Sequence, residues 1–149
     1  MEIWGPVVLI DDDADDQEMI IDLTRELLPH HVIHSFYNGA KGLQYLQETA
    51  DQPLIIICDM NMPVMNGLDL LKTIQEDRFL RSKSIPFVFL TTGADQPTVQ
   101  KAYDLGVQGF LKKPESIVKL RGLLKVTYDF WQNCLHPNHS VFEKNSGSK

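Results

Sequence analysis

Only two cysteines, Cys58 and Cys134, occur in the 149 residues of this chain. Two cysteines cannot build the disulfide framework of a small secreted domain, and neither stands in the Cys/His spacing of a zinc site. Cys58 closes an apolar run, where it is expected to act as a small buried hydrophobic residue. Disulfide scaffolds and zinc modules are therefore excluded.

Positive charge is also scarce, with 14 lysines and arginines against 20 acidic residues and a formal net charge of −6. Proteins that bind nucleic acids concentrate positive charge, so we expect no direct contact with nucleic acid. Apolar runs are too short to cross a membrane, and the first residues lack the basic region and apolar core of a signal peptide. We expect a cytoplasmic protein with no membrane partner.

The apolar runs that are present are short and do not alternate with polar residues, which is typical of parallel strands buried on both faces. They cover residues 7–10, 32–36, 54–58, 87–90 and 109–111. Segments with helical periodicity lie between and after them, at 15–28, 40–48, 68–75, 98–105 and 115–133. The pattern predicts an α/β fold, a doubly wound five-stranded parallel sheet with helices on both faces. We expect residues 1–133 to form one domain and residues 134–149 to form a flexible tail.

Carboxylates follow two of the predicted strands directly. Asp11, Asp12 and Asp13 come after the first run and Asp59 after the third. The carboxyl ends of parallel strands share one edge of the sheet, so these anions converge there and favour a bound hard cation, best magnesium. Alternatively, the run from Asp11 onward is a solvated loop that caps the next helix, an explanation that covers Asp15 and Asp16 but not Asp59.

A hydroxyl and an ammonium are expected at the same edge. Thr91 and Thr92 follow the fourth run, and Lys113 and Pro114 follow the fifth. Such groups can bind the oxygens of a transferring phosphoryl group and offset its charge. Each also has an ordinary explanation, since threonines often cap helices and lysines are usually solvated.

Taken together, these features resemble the receiver domain of two-component response regulators, a flavodoxin-like fold of five βα units. The matching features are the acidic pair after strand one, the segment DMNMPVMNG at residues 59–67, the Leu90 to Thr92 strand end, and Lys113 with Pro114. The resemblance covers roughly residues 7–133. It implies a phosphoacceptor switch in a two-component phosphorelay.

The resemblance also implies a role for each matching residue. Asp59 would accept the phosphoryl group. Asp12, Asp59 and the backbone carbonyl of Asn61 would bind Mg²⁺, or Mn²⁺, directly, and Asp11 would act chiefly through water. Thr91 and Lys113 would each bind a phosphoryl oxygen. Pro114 would position the lysine through a cis peptide bond, which costs only about 0.5 to 1 kcal/mol over trans before proline.

Further expectations concern the output of the switch. Phosphorylation would draw Thr91 toward the phosphate and let Phe110 turn inward, although a simple core role for Phe110 stays open. Gly93 would leave the phosphoryl group exposed to water, which would later release it. The donor would be a histidine kinase or a histidine phosphotransfer protein, and output would pass to a downstream protein partner.

The end of the last predicted helix is similar to stand-alone regulators associated with phytochrome-type kinases, whose aromatic ending helps to form a homodimer. Phe130 and Trp131 could equally pack onto the core. Two other functions stay open. Asp11-x-Asp13 mimics the nucleophile motif of a haloacid-dehalogenase-like phosphohydrolase, and a docking module would bind partners without phosphorylation.

Overall fold

The computed structural model describes residues 5–135, and these form a five-stranded sheet with six helices. The strands are β1 (Val7–Ile10), β2 (Ile33–Phe36), β3 (Ile55–Cys58), β4 (Phe87–Thr91) and β5 (Gly109–Lys112). The helices are α1 (Ala14–Leu27), α2 (Gly39–Glu48), α3 (Gly67–Glu76), α4 (Arg78–Lys83), α5 (Gln96–Asp104) and α6 (Ile117–Asn133). Most of the tail predicted at residues 134–149 lies outside the described residues.

Every neighbouring pair of strands is parallel, and the order across the sheet is β2-β1-β3-β4-β5. The predicted fold class is therefore confirmed. From β1 the chain adds β2 on one side of the sheet and then adds β3, β4 and β5 on the other side. The strand order thus reverses between β1 and β3, which leaves a crevice beyond the carboxyl ends of these two strands. Asp11, Asp12 and Asp59 follow these two strands.

The core has two layers because side chains alternate between the faces of each strand. Val8 and Ile10 of β1 pack on one face with the apolar residues of α2, α3, α4 and α5. Val7 and Leu9 point to the other face, which α1 and α6 cover. The sequence pattern places a helix on each face, and the structure confirms this.

Each helix begins at a side-chain cap, which helps to explain where the elements start. The six N-cap residues, each accepting a backbone N–H three residues on, are Asp13, Asn38, Asn66, Asp77, Asp95 and Ser116. A cap of this kind is typically worth about 1 kcal/mol. No helix among residues 5–135 is long and apolar enough to cross a membrane.

Candidate functional site

Asp11 and Asp12 sit at the carboxyl end of β1 with different exposure. The backbone N–H of Asp11 donates to the carbonyl of Phe36 (3.1 Å), so β2 fixes the start of this loop. The Asp11 side chain is buried, with 3% of the residue exposed, and accepts the N–H of Asp13 at 2.9 Å. Asp12 is exposed. One carboxylate is thus held inside the crevice while the next faces its opening.

Asp59 lies beside them because β3 pairs with β1. Its backbone N–H donates to the carbonyl of Ile10 at 2.8 Å, which extends the β1·β3 pairing by one residue. Asp11, Asp12 and Asp59 each present a carboxylate oxygen, and these atoms all lie within 4.8 Å of one another. The structure therefore brings together three of the four carboxylates that the sequence pattern placed at this edge. The fourth, Asp13, caps α1 instead.

The electrostatics of this cluster favour a cation. Burial raises the pKa of Asp59, and the negative charge of Asp11 raises it further, against the opposing effects of Lys113 and Thr91. Burial likewise raises the pKa of Asp11. Two partly desolvated carboxylates that repel each other are stabilised by a positive ion between them. A cluster of oxygen donors with an open, exposed side suits Mg²⁺ or Mn²⁺, so the residues fit such a metal.

The loop after Asp59 is held tightly under the site. The N–H of Gly67 donates to the carbonyl of Met60 at 2.9 Å, so α3 begins directly beneath this loop. A Cβ on Gly67 would lie 2.8 Å from the Asp59 carbonyl oxygen and 2.4 Å from the Phe89 ring. Glycine is therefore required there by the close approach of the two backbones. Asn61 extends from the same loop and is exposed.

Thr91 and Lys113 reach the site from β4 and from the residue after β5. Thr91 is 1% exposed, and its hydroxyl accepts a hydrogen bond from the Asn61 amide nitrogen at 3.5 Å. The same hydroxyl opposes the rise in the pKa of Asp59. The backbone N–H of Lys113 donates to the Thr91 carbonyl at 2.7 Å. The predicted hydroxyl and ammonium therefore both lie at the carboxylate cluster.

Lys113 is paired with two carboxylates. Its Nζ lies 3.0 Å from Asp11 Oδ2 and 2.8 Å from Asp16 Oδ2. Burial alone would lower the pKa of Lys113, but the contacts with Asp16 and Asp11 outweigh burial and raise it. Lys113 is therefore a charged group within the site. The interpretation of Asp16 as a residue that only favours the helix dipole was incomplete, because it also contacts this lysine.

The expectation of a cis peptide bond before Pro114 was wrong. Residues 5–135 contain no cis peptide bond. Trans is the lower-energy isomer even before proline. The backbone hydrogen bond from Lys113 to Thr91 already brings the lysine to the site. A cis bond is therefore not needed to position it.

Phe110 lies on β5 opposite Phe89, and Gly93 follows Thr91 by two residues. Phe110 on β5 is half-buried, and its ring centroid is 5.2 Å from that of Phe89 in the core. This position satisfies the core role that the sequence left open for Phe110. A Cβ on Gly93 would meet nothing within 4 Å, so the space beyond Thr91 is open.

Comparisons with known proteins were consistent with this geometry. The family model of the response regulator receiver domain matches residues 7–125. The chemotaxis protein CheY1 of Helicobacter pylori (strain ATCC 700392 / 26695) is 33% identical over 119 residues, covering 80% of this chain and 94% of that protein. The response regulator Rcp1 of Synechocystis sp. (strain ATCC 27184 / PCC 6803 / Kazusa) is 25% identical over 130 residues, covering 84% and 87%.

Solved structures show the same fold. The phosphorylated cyanobacterial phytochrome response regulator RcpA superposes with a TM-score of 0.83 at 24% identity, covering 91% of this chain and all of that one. The Mn²⁺-bound form of Rcp1 gives a TM-score of 0.76 at 24% identity, covering 89% and 99%. At this level of identity, the likeness establishes the arrangement of strands and helices.

Proposed function

The chain belongs to the response regulator receiver domain family, and from that premise we propose that Asp59 is the residue that accepts the phosphoryl group. Members of this family are phosphoacceptor switches of two-component systems and not classical enzymes. The observation that carries the assignment is the convergence of Asp11, Asp12 and Asp59 within 4.8 Å, with Thr91 and Lys113 against the same cluster.

The proposed reaction is a phosphoryl transfer to a carboxylate. A carboxylate oxygen of Asp59 attacks the phosphorus of a phosphohistidine, an O–P bond forms, and the P–N bond to the histidine breaks. The Thr91 hydroxyl and the Lys113 ammonium bind the phosphoryl oxygens and offset their charge. Autodephosphorylation completes the cycle, when water releases inorganic phosphate and restores the carboxylate. The open space beside Gly93 supports access of that water.

The proposed metal ligands are Asp12, Asp59 and the backbone carbonyl of Asn61, with Asp11 acting through water. Mg²⁺ or Mn²⁺ bound there would supply positive charge that offsets the carboxylates and the incoming phosphoryl group. The protein itself supplies the exposed Asp12 carboxylate at the mouth of the crevice and the buried Asp11 carboxylate behind it.

The proposed switch runs from Thr91 to Phe110. Movement of the Thr91 hydroxyl toward a phosphoryl group on Asp59 would open space beside β4, into which the half-buried Phe110 ring can turn. These residues lie on β4 and β5, whose two faces pack against α5 and α6. The movement would therefore alter the surface that α5, β5 and α6 present to partners.

The proposed partners are a histidine kinase or histidine phosphotransfer protein as donor, a downstream protein as target, and a second copy of the chain. The end of α6 supports the last of these. Trp131 packs against the core face beneath α1 and α6, whereas Phe130 is 59% exposed. Val126, one helical turn before Phe130 on α6, is also exposed. We place the protein in the cytoplasm, where these partners meet it, without contact to nucleic acid or membrane.

Intact-mass spectrometry tests the assignment of Asp59. Wild type, Asp59→Asn and Asp11→Asn are incubated with acetyl phosphate, with and without Mg²⁺. We expect one magnesium-dependent phosphoryl adduct on wild type and none on Asp59→Asn. An adduct that survives Asp59→Asn but not Asp11→Asn would instead indicate the hydrolase chemistry at Asp11. A wild type that binds Mg²⁺ but takes no phosphoryl group would indicate the unphosphorylated docking module.

A further inference from the structure

Lys113 is shared between two carboxylates of the β1–α1 segment. Its ammonium has three N–H donors, of which Asp11 and Asp16 take two. The Lys113 side chain is 11% exposed, that of Asp11 is 5% exposed, and that of Asp16 is 32% exposed. The pair with Asp16 is therefore partly shielded from solvent.

Helix α1 holds Asp16 on the side that faces the site. The Asp16 backbone N–H donates to the capping Asp13 side chain at 3.0 Å, which fixes the first turn. Asp16 precedes Ile20 by four residues, and Ile20 is buried in the core. The adjacent Asp15 lines an outer groove on α1 together with Glu18, whereas the ion pairs of Lys113 are with Asp11 and Asp16. Two neighbouring aspartates of the same helix turn thus differ in their contact with Lys113.

Asp11 has two competing uses, since it pairs with Lys113 and belongs to the carboxylate cluster proposed to hold the metal. A divalent cation that draws on the charge of Asp11 weakens the attraction between Asp11 and Lys113. Asp16 stands outside that cluster of three carboxylates. Its attraction for Lys113 therefore persists when Asp11 is engaged.

We propose that Asp16 is a positioning residue, which keeps Lys113 at the phosphorylation site while a divalent cation engages Asp11. The inference rests on the proposed metal site around Asp59. With Asp16 as its one remaining carboxylate partner, the ammonium would have N–H donors free for phosphoryl oxygens. Without Asp16, Lys113 pairs with Asp11 alone, and the cation must displace it from there.

Calorimetric titration with Mg²⁺ tests this in the absence of any phosphodonor. We expect Asp16→Asn to raise the Kd for Mg²⁺ about three- to fivefold, the range of a partly exposed ion pair. Asp15→Asn removes the same formal charge one residue away and is the matched control, with an expected change of less than about twofold, because exposed charges without a direct contact are screened by salt. Asp16→Glu, which keeps the carboxylate, should remain near wild type.

A second titration identifies Lys113 as the route of the effect. In a Lys113→Gln background, Asp16→Asn should change the Kd no more than Asp15→Asn does. Two outcomes would overturn the inference. In one, Asp16→Asn changes the Kd for Mg²⁺ of the otherwise wild-type protein no more than Asp15→Asn does. In the other, Asp16→Asn raises the Kd by the same factor in the Lys113→Gln background as in wild type. In either case a normal phosphoryl adduct on Asp59 would leave the proposed function standing. A wild type that binds no Mg²⁺ would overturn both.

Discussion

Substitution of Gly67 by alanine should damage the fold and the site together. A Cβ at this position would lie 2.4 Å from Cε1 of Phe89, 2.8 Å from the carbonyl oxygen of Asp59 and 3.0 Å from Cα of Met60. Two of these atoms belong to the backbone, and the Phe89 ring is fully buried. Rotation of a side chain cannot relieve the overlap, so the start of α3 and the loop after Asp59 must move apart.

The magnitude follows from two opposing effects. Forcing an extra methyl group into a packed core costs about 1–3 kcal/mol. Replacing glycine by alanine within a helix returns roughly 0.5–1 kcal/mol. We therefore expect Gly67→Ala to lower the free energy of unfolding, by up to about 2.5 kcal/mol. Because the displaced loop carries Asp59 and Asn61, the Kd for Mg²⁺ should rise as well.

Gly122 provides the matched control for this prediction. It lies within α6, and a Cβ added there meets nothing within 4 Å. Gly122→Ala should raise the free energy of unfolding by about 0.5–1 kcal/mol and leave Mg²⁺ binding unchanged. Urea unfolding followed by circular dichroism measures both variants. Equal stabilisation by the two substitutions would refute the argument from close approach.

Two further predictions concern residues outside the site. Tyr128 on α6 and Thr24 on α1 share a buried hydrogen bond of 2.7 Å. Tyr128→Phe and Thr24→Val should each lower the free energy of unfolding by about 1–3 kcal/mol, and the double variant should lower it by less than their sum. Strict additivity in urea unfolding would show that the bond contributes nothing. Val64 is fully exposed and has a φ of 67°, in the left-handed region. Val64→Gly should not destabilise the protein and should raise the free energy of unfolding by up to about 1 kcal/mol, measured by thermal unfolding. The reason is that the strain of a branched residue at this φ exceeds the entropy cost of glycine. Any measurable loss of stability in Val64→Gly would contradict this.

The sequence was sufficient to predict the sheet because each buried strand is a continuous apolar run. β2 departs from this pattern, because His34 and Ser35 interrupt its apolar run and its residues are only half-buried at the edge of the sheet. Helix α4 was missed. Its six residues, Arg78–Lys83, span fewer than two turns, too few for a helical period to appear, and it buries chiefly Leu80 and Lys83.

The site was predictable where residues directly follow strands, because topology fixes where those ends meet. The contact of Lys113 with Asp16 depends on the rotation of α1 and on the path of a long side chain, which strand ends do not determine. A usable signal did exist. Asp16 falls four and seven residues before Ile20 and Leu23, on the apolar side of α1, whereas Asp15 falls on the acidic side. The inward helical register of Asp16 therefore indicates that it, and not Asp15, can contact a residue of the site.

The strand order has a consequence for how such a domain could be recombined. Asp11 and Asp12 follow β1, on one side of Asp59, while Thr91 and Phe110 lie on β4 and β5, on the other. The carboxylates and the residues of the proposed switch thus come from separate stretches of chain. A chimaera that takes the segment from β4 onward from a relative would keep the carboxylates of this chain. The site would be complete if the lysine of the relative still reaches back across the sheet to Asp11 and Asp16.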